Sequence, residues 1–145
     1  MIVDLPDLDA MTAFSSRIAR KVQAGDVISL EGELGTGKTT LARGILAGLG
    51  HDGEVPSPTF TIIETYENTK VPVAHADFYR LEDPSELREL GLDDYREGAV
   101  LIAEWPDKAG GFAHESACLA IKLEIVGQGR RAIVHGGREW QERMP

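Results

Sequence analysis

A glycine-rich segment in the first third of the chain has the residue types and the spacing needed to hold phosphate groups. It reads Gly32-Glu-Leu-Gly-Thr-Gly-Lys-Thr39 and matches G-x-x-x-x-G-K-[ST] at every fixed position. Glycines permit backbone conformations in which successive N–H groups converge on an anion, and the following helix points its positive end at the same place. We therefore expect Lys38 to reach the β- and γ-phosphates of a nucleotide, and the Thr39 hydroxyl to bind Mg²⁺.

A phosphate loop of this kind works with an acid near the metal, usually at the carboxyl end of a buried strand. Glu104 follows the apolar run Val100–Ala103, which is a Walker B pattern with Glu in place of Asp. Asp77 follows a weaker strand, Val73–Ala76. Each acid could also be a solvated carboxylate at a strand end. We favour the functional interpretation for both, with Lys38, Asp77 and Glu104 as the catalytic residues.

The other reactive side chains give weaker signals. Cys118 is the single cysteine and lies in an apolar run, which is typical of a core residue. Trp105 is interpreted as a packing anchor, and Arg130-Arg131 as either a clamp for phosphate or ribose or two solvated charges. None of the histidines has the i, i+4 spacing of a helical metal pair, so we expect them to be structural or exposed: His51, His75, His114 and His135.

Composition narrows the class of protein. The 145 residues are 42% hydrophobic and 27% charged, which suits one folded domain over residues 1–145. The formal net charge of −9 disfavours autonomous nucleic-acid binding, which needs a basic face. The first residues do not have the pattern of a signal peptide, and no apolar run approaches the length of a membrane span. We expect a cytoplasmic protein without a membrane association.

The order of predicted elements indicates the fold. We predict an α/β, three-layer, P-loop NTPase-like domain with a mixed central sheet flanked by helices, in which the strands at Val27 and Ala99 are parallel. A hairpin is expected from residues 59–66 and 71–78, and a second across the Gly127–Gly129 turn. Helices are expected from Asp7 or Asp9 to about Ala24, from Lys38 to Leu49, and from an Asp83 N-cap to Gly91, with a frayed or helical tail over residues 138–145.

Sequence patterns also discriminate among nucleotide-binding proteins. The guanine-specificity motif N/T-K-x-D is absent, and no Asp-x-x-Gly directly follows a strand, which disfavours a Ras-type GTPase. The segment 78–98 has three scattered arginines rather than an arginine-rich lid, so support for a small-molecule P-loop kinase is weak. That kinase and a nucleotide-dependent binding module without useful hydrolysis stay open as alternatives to an ATPase.

Four segments in a fixed order carry a more specific resemblance. These are residues 32–41, the Ser57-Pro-Thr-Phe-Thr61 segment, His75-Ala-Asp-Phe-Tyr-Arg-Leu-Glu-Asp-Pro84 and Glu104-Trp-Pro106. Together they resemble the TsaE (YjeE) family, small bacterial P-loop ATPases of the machinery that makes N6-threonylcarbamoyladenosine (t6A) in tRNA. The resemblance spans nearly the whole chain.

The resemblance implies particular roles for residues of this chain. Thr39 and Glu104 match the family's magnesium ligands, and Asp77 matches an acid that orients or activates the attacking water. Thr59 and Thr61 become candidate γ-phosphate sensors. The residues implied to bind the nucleotide are Asp7, on the adenine side, Gly35, Thr36, Gly37, Lys38, Thr39, Thr40, Thr59 and Arg130.

The resemblance also implies ATP and Mg²⁺ as ligands, and an energy-coupling role rather than tRNA modification itself. The expected partners are the threonylcarbamoyl transferase and its paralogous partner, through which tRNA is mainly contacted. ATPase activity of the isolated chain is expected to be weak and dependent on those partners.

Overall fold

Strands and helices alternate through most of the chain, and a long hairpin follows them. The computed structural model describes residues 1–58 and 62–145. No helix in these two ranges is long and apolar enough to cross a membrane. The elements are β1 (Ile2–Leu5), α1 (Leu8–Ala19), β2 (Val27–Glu31), α2 (Lys38–Gly48), β3 (Ile63–Tyr66), β4 (Val73–Asp77), α3 (Glu86–Leu90), α4 (Leu92–Arg96), β5 (Val100–Glu104), β6 (Cys118–Val126) and β7 (Gly129–Gly136), with short 3₁₀ helices at Pro106–Ala109 and Arg138–Trp140.

The seven strands form one mixed sheet in the order β1-β7-β6-β2-β5-β4-β3. Its centre is parallel, because β2 pairs in parallel with both β5 and β6, and β5 pairs in parallel with β4. The outer pairs β1–β7, β6–β7 and β3–β4 are antiparallel. Both predicted hairpins and the predicted parallel pair are therefore confirmed over the described residues.

Residues of β5 alternate between two cores, one on each face of the sheet. Val100 and Ile102 pack with α1 and α2, whereas Leu101 and Ala103 pack with Phe78, Leu92 and Phe112 on the opposite face. Since successive side chains of a strand point to opposite faces, a central strand buried on both faces is apolar throughout. This places helices on both sides and confirms the three-layer prediction. Cys118 is buried, as expected.

One predicted helix boundary is wrong. Helix α1 ends at Ala19 rather than near Ala24, and the Asp26 carboxylate accepts a hydrogen bond from the Gln23 N–H at 2.7 Å. Val22 is nevertheless buried, which explains the apolar periodicity that suggested a longer helix. The predicted cap before α3 is present, because Asp83 accepts from the Ser85 N–H at 2.9 Å and its own N–H donates to Glu86 Oε1 at 3.2 Å, although regular helix begins only at Glu86.

The polar C-terminal segment is anchored rather than frayed, and the helical alternative holds for the 3₁₀ helix Arg138–Trp140. Trp140 is fully buried and donates from Nε1 to the Ala117 carbonyl at 2.8 Å. Arg143 makes two hydrogen bonds to Asp26, at 2.7 and 2.9 Å, and a third to the Lys21 carbonyl. The Arg143 contacts join residues more than 100 positions apart, and they tie this segment to the turn that follows α1.

Replacing Arg143 with Ala should lower the free energy of unfolding by about 3–5 kcal/mol, because it leaves Asp26 buried without its cation. The Asp26 side chain is 3% exposed. Arg131→Ala is the matched control, since its partner Asp4 is 81% exposed and such surface pairs contribute at most about 1 kcal/mol. Urea unfolding of both variants measures the difference, and equal losses would contradict a structural role for the Arg143–Asp26 pair.

Candidate nucleotide site

The glycine-rich loop joins the end of β2 to the start of α2 in a shape that Gly32 and Gly37 permit. Both have positive φ, 146° at Gly32 and 102° at Gly37, where side chains are disfavoured. A Cβ at Gly32 would also lie 2.6 Å from the Thr36 hydroxyl oxygen and 2.7 Å from the Leu123 carbonyl oxygen. The loop closes on itself through a 2.9 Å hydrogen bond from the Thr36 hydroxyl to the Glu33 carbonyl.

The Lys38 amine lies inside this loop. Its Nζ donates to the carbonyls of Gly32, at 2.6 Å, and Glu33, at 2.9 Å. It also lies 4.5 Å from the centroid of the Trp105 ring, a cation–π contact. Burial lowers the pKa of Lys38, while the nearby Glu104 carboxylate opposes that shift. The loop therefore surrounds the Lys38 ammonium group, and Lys38 also lines a cavity beside the loop.

Glu104 ends β5 as a carboxylate held at both oxygens. Its Oε1 accepts from the Thr39 hydroxyl at 2.9 Å, and its Oε2 lies 2.7 Å from His75 Nε2. Only 2% of the residue is exposed. Thr39 comes from the first turn of α2 and His75 from β4, so three elements meet at one acid.

Asp77 lies beside Glu104 because the two residues are register partners in the parallel β4–β5 pair. Its Oδ1 accepts a 3.0 Å hydrogen bond from the Tyr79 N–H. Burial raises the pKa of Asp77, the Tyr79 hydrogen bond opposes the shift, and the Glu104 charge adds to it. Asp77 also lines the cavity, where its carboxylate can accept a hydrogen bond from water.

Arg130 and Asp7 lie at the same site but make contacts within the protein. The Arg130 guanidinium donates to the carbonyls of Thr36, at 3.1 Å, Gly35, at 3.0 Å, and its neighbour Gly129. It therefore clamps the outside of the phosphate loop. Asp7 caps α1 by accepting from the Ala10 N–H at 2.8 Å.

One cavity of about 730 Å³ brings the predicted residues together. Those lining it are Asp7, Gly35, Thr36, Gly37, Lys38, Thr39, Thr40, Asp77, Glu104 and Arg130. Thr59 and Thr61 fall outside the described residues, so their assignment as γ-phosphate sensors stays a prediction. The fold therefore brings the described residues of the predicted set to one cavity, whereas the contacts among these residues emerge only from the fold.

Two residues of the site were not predicted as such. His75, expected to be structural or exposed, contacts Glu104; it lies two positions before Asp77 on β4, and this spacing puts both on one face of a strand. Trp105 has a φ of 56°, a strained left-handed conformation, and its ring lies over Lys38. The i, i+2 spacing could have revealed His75, but no sequence signal marks the turn at Trp105.

The donor set at Thr39 and Glu104 fits Mg²⁺. Mg²⁺ prefers oxygen ligands and usually takes only one or two from the protein, together with phosphates and water. A hydroxyl and a carboxylate oxygen 2.9 Å apart at the cavity wall match that pattern. Across residues 1–58 and 62–145, no cluster of three or more His, Cys, Asp or Glu side chains offers an all-protein cage.

A phosphate loop between a buried strand and a helix, with an acid at the end of the adjacent parallel strand, defines a P-loop NTPase-like fold. Residues 5–133 match the family model described as "Threonylcarbamoyl adenosine biosynthesis protein TsaE". The chain therefore belongs to the TsaE family.

Individual relatives agree with this family. The chain is 38% identical over 138 residues to the tRNA threonylcarbamoyladenosine biosynthesis protein TsaE of Haemophilus influenzae, covering 86% of this chain and 87% of the relative. It is 48% identical over 94 residues to the Bacillus subtilis protein of the same name, covering 64% of this chain and 58% of that one. The crystal structure of Bacillus subtilis YdiB superposes with a TM-score of 0.81 at 29% identity, covering 99% of this chain and 90% of YdiB.

Replacing Arg130 with Ala should loosen the phosphate loop in the nucleotide-free protein. Two hydrogen bonds to the Gly35 and Thr36 carbonyls are lost, so exchange of the amide hydrogens in residues 33–37 should accelerate roughly tenfold. Hydrogen exchange followed by mass spectrometry measures this, with Arg138→Ala as the control because Arg138 is exposed. Unchanged loop exchange in Arg130→Ala would show that the clamp does not order the loop.

Proposed function

We propose that the chain is a single P-loop ATPase domain over residues 1–145, which binds ATP with Mg²⁺, hydrolyses it, and thereby supports t6A formation in tRNA by partner proteins. The observation that carries this proposal is the convergence on one cavity of the Lys38 amine, the Thr39–Glu104 oxygen pair and the Asp77 carboxylate. An ammonium group, a magnesium-type oxygen pair and a water-facing acid are the parts that phosphoryl transfer to water requires.

The phosphate loop supplies most of the binding. Lys38 neutralises charge on the β- and γ-phosphates, and the loop amides and the start of α2 add donors and a favourable dipole. The Lys38 amine already lies in the loop with two carbonyl partners, so its position is fixed before the nucleotide enters. A positioned cation of this kind stabilises developing negative charge without reorganising during the reaction.

Thr39 and Glu104 are the residues that would hold Mg²⁺. When bound, the ion neutralises charge that develops on the phosphate oxygens. The hydroxyl and the carboxylate belong to different elements, α2 and β5, and their mutual hydrogen bond keeps the two oxygens together.

Asp77 orients the attacking water. The Tyr79 N–H donates to one of its carboxylate oxygens and restrains the carboxylate, and the residue lines the cavity in which water would attack. Transfer of a γ-phosphoryl group depends mainly on positioning and charge stabilisation rather than on a strong base. An acid that accepts one hydrogen bond from water is sufficient for that role.

The proposed partners follow from charge and from the names of the relatives. A chain with a net charge of −9 is poorly suited to hold tRNA alone, whereas the Haemophilus influenzae and Bacillus subtilis relatives are named for t6A biosynthesis in tRNA. We therefore assign tRNA contact mainly to the threonylcarbamoyl transferase and its paralogous partner. The chain couples ATP hydrolysis to their turnover in the cytoplasm, and its activity alone is weak.

Phosphate release from ATP should occur without an added acceptor, rise with the two partner proteins, and fall about 100-fold in both Lys38→Ala and Glu104→Gln. The first variant removes the cation at the phosphates, and the second removes the anionic magnesium ligand. Lys108→Ala and Glu97→Gln are matched controls, because both residues are exposed and lie outside the cavity lining.

Two outcomes would contradict this proposal and point to its alternatives. ATP consumption that requires a small-molecule acceptor would indicate a kinase. ATP binding without hydrolysis, in the presence and absence of the partners, would indicate a nucleotide-dependent binding module.

A further inference from the structure

His75 is a buried histidine that makes one polar contact among the described residues. It is 0% exposed, and its Nε2 lies 2.7 Å from Glu104 Oε2. Its other ring nitrogen, Nδ1, is buried and has no hydrogen-bond partner in residues 1–58 and 62–145. Glu104 lines the cavity, so any effect of His75 on that cavity passes through Glu104.

The Glu104 carboxylate determines where the ring carries its proton. A buried donor or acceptor without a partner costs about 1–3 kcal/mol, so the unpartnered Nδ1 is costly in either neutral tautomer and the choice is made at Nε2. The carboxylate at 2.7 Å accepts a hydrogen bond and has none to give when ionised. The proton therefore lies on Nε2, and His75 donates to Glu104.

This donation constrains the orientation of the Glu104 carboxylate. Oε2 is held by His75 from β4, and Oε1 is held by Thr39 from α2. A carboxylate fixed at both oxygens cannot rotate about its terminal bond, so Oε1 stays at the cavity beside the Thr39 hydroxyl. The Glu104 side chain is therefore already ordered before a ligand binds, so binding loses less side-chain entropy.

We infer that His75 is a positioning residue that sets the affinity of the site for its divalent cation by holding Glu104 Oε2, so that Oε1 faces Thr39. The inference rests on the proposed function, because it assigns Thr39 and Glu104 to that cation. Partners of metal-binding carboxylates commonly contribute in this way, and losing them weakens metal affinity about 10–100-fold.

Substitutions at position 75 can separate the effect of the hydrogen bond to Glu104 from the effect of side-chain volume. In Gln the amide nitrogen is three bonds from Cβ, the same number as Nε2 of histidine, whereas in Asn it is two bonds away and matches Nδ1. His75→Gln can therefore donate to Glu104, while His75→Asn and His75→Leu cannot. His135→Leu is the control, since His135 is exposed on β7.

The direct measurement is the dissociation constant of Mn²⁺, read by electron paramagnetic resonance in the presence of a β,γ-imido analogue of ATP. We expect His75→Leu and His75→Asn to bind Mn²⁺ about 10–100-fold more weakly than wild type, with His75→Gln within about threefold. Analogue affinity measured in EDTA should be similar in all variants, because the phosphate loop is untouched. Thermal melting of each variant shows that it is folded.

Three results would overturn the assignment. Mn²⁺ affinity of His75→Leu equal to that of wild type would remove any role in cation binding. Equal losses in His75→Gln and His75→Asn would show that packing, rather than donation, matters. A nitrogen-15 spectrum of the nucleotide-free wild type with the His75 proton on Nδ1 would exclude the donation itself.

Failure of the proposed function has a different signature. In that case wild-type protein itself shows no analogue-dependent Mn²⁺ binding, whatever the residue at position 75, and the cation role of His75 is rejected together with the ATPase assignment. A wild type that binds Mn²⁺ tightly while His75→Leu does the same rejects only the positioning role.

Discussion

The buried carboxylate of Glu104 is the constraint on which the arrangement of the site depends. An anion removed from water is costly unless donors surround it, and Glu104 is 2% exposed. Its donors come from α2, through Thr39, and from β4, through His75. The strand order β2-β5-β4 is what allows this, because it places the end of β5 between the strand that leads to the phosphate loop and the strand that supplies His75 and Asp77.

Most of the fold could be predicted because its signals are local. An apolar run such as Val100–Ala103 predicts a central strand, and spacing by three or four predicts the buried faces of α1 and α2. The end of α1 was misplaced because Val22 is buried by a turn rather than by another helical turn. The order of the C-terminal segment was missed because it depends on an Arg143–Asp26 contact between residues 117 positions apart, which no local pattern records.

The site divides in the same way between local motifs and long-range contacts. The phosphate loop and the acid at the end of β5 can be predicted from the sequence, since each motif requires particular residue types at fixed spacing. The contacts of His75 and Arg130 could not be predicted from local motifs. The His75 contact needs the parallel register of β4 and β5, and the Arg130 contact joins β7 to a phosphate-loop residue 94 positions earlier. Family membership then supplies what geometry does not, a connection of this P-loop protein to t6A biosynthesis.

The most direct test of the proposed function is multiple-turnover t6A formation in tRNA by the reconstituted partner proteins, with wild-type chain or Glu104→Gln, under ATP or its β,γ-imido analogue as the nucleotide for this chain. The assay follows more than one modification event per transferase, since repeated cycles are what hydrolysis is proposed to sustain. We expect repeated modification only with the wild-type chain and ATP. Equal turnover in all four combinations would contradict the coupling of ATP hydrolysis at this site to tRNA modification.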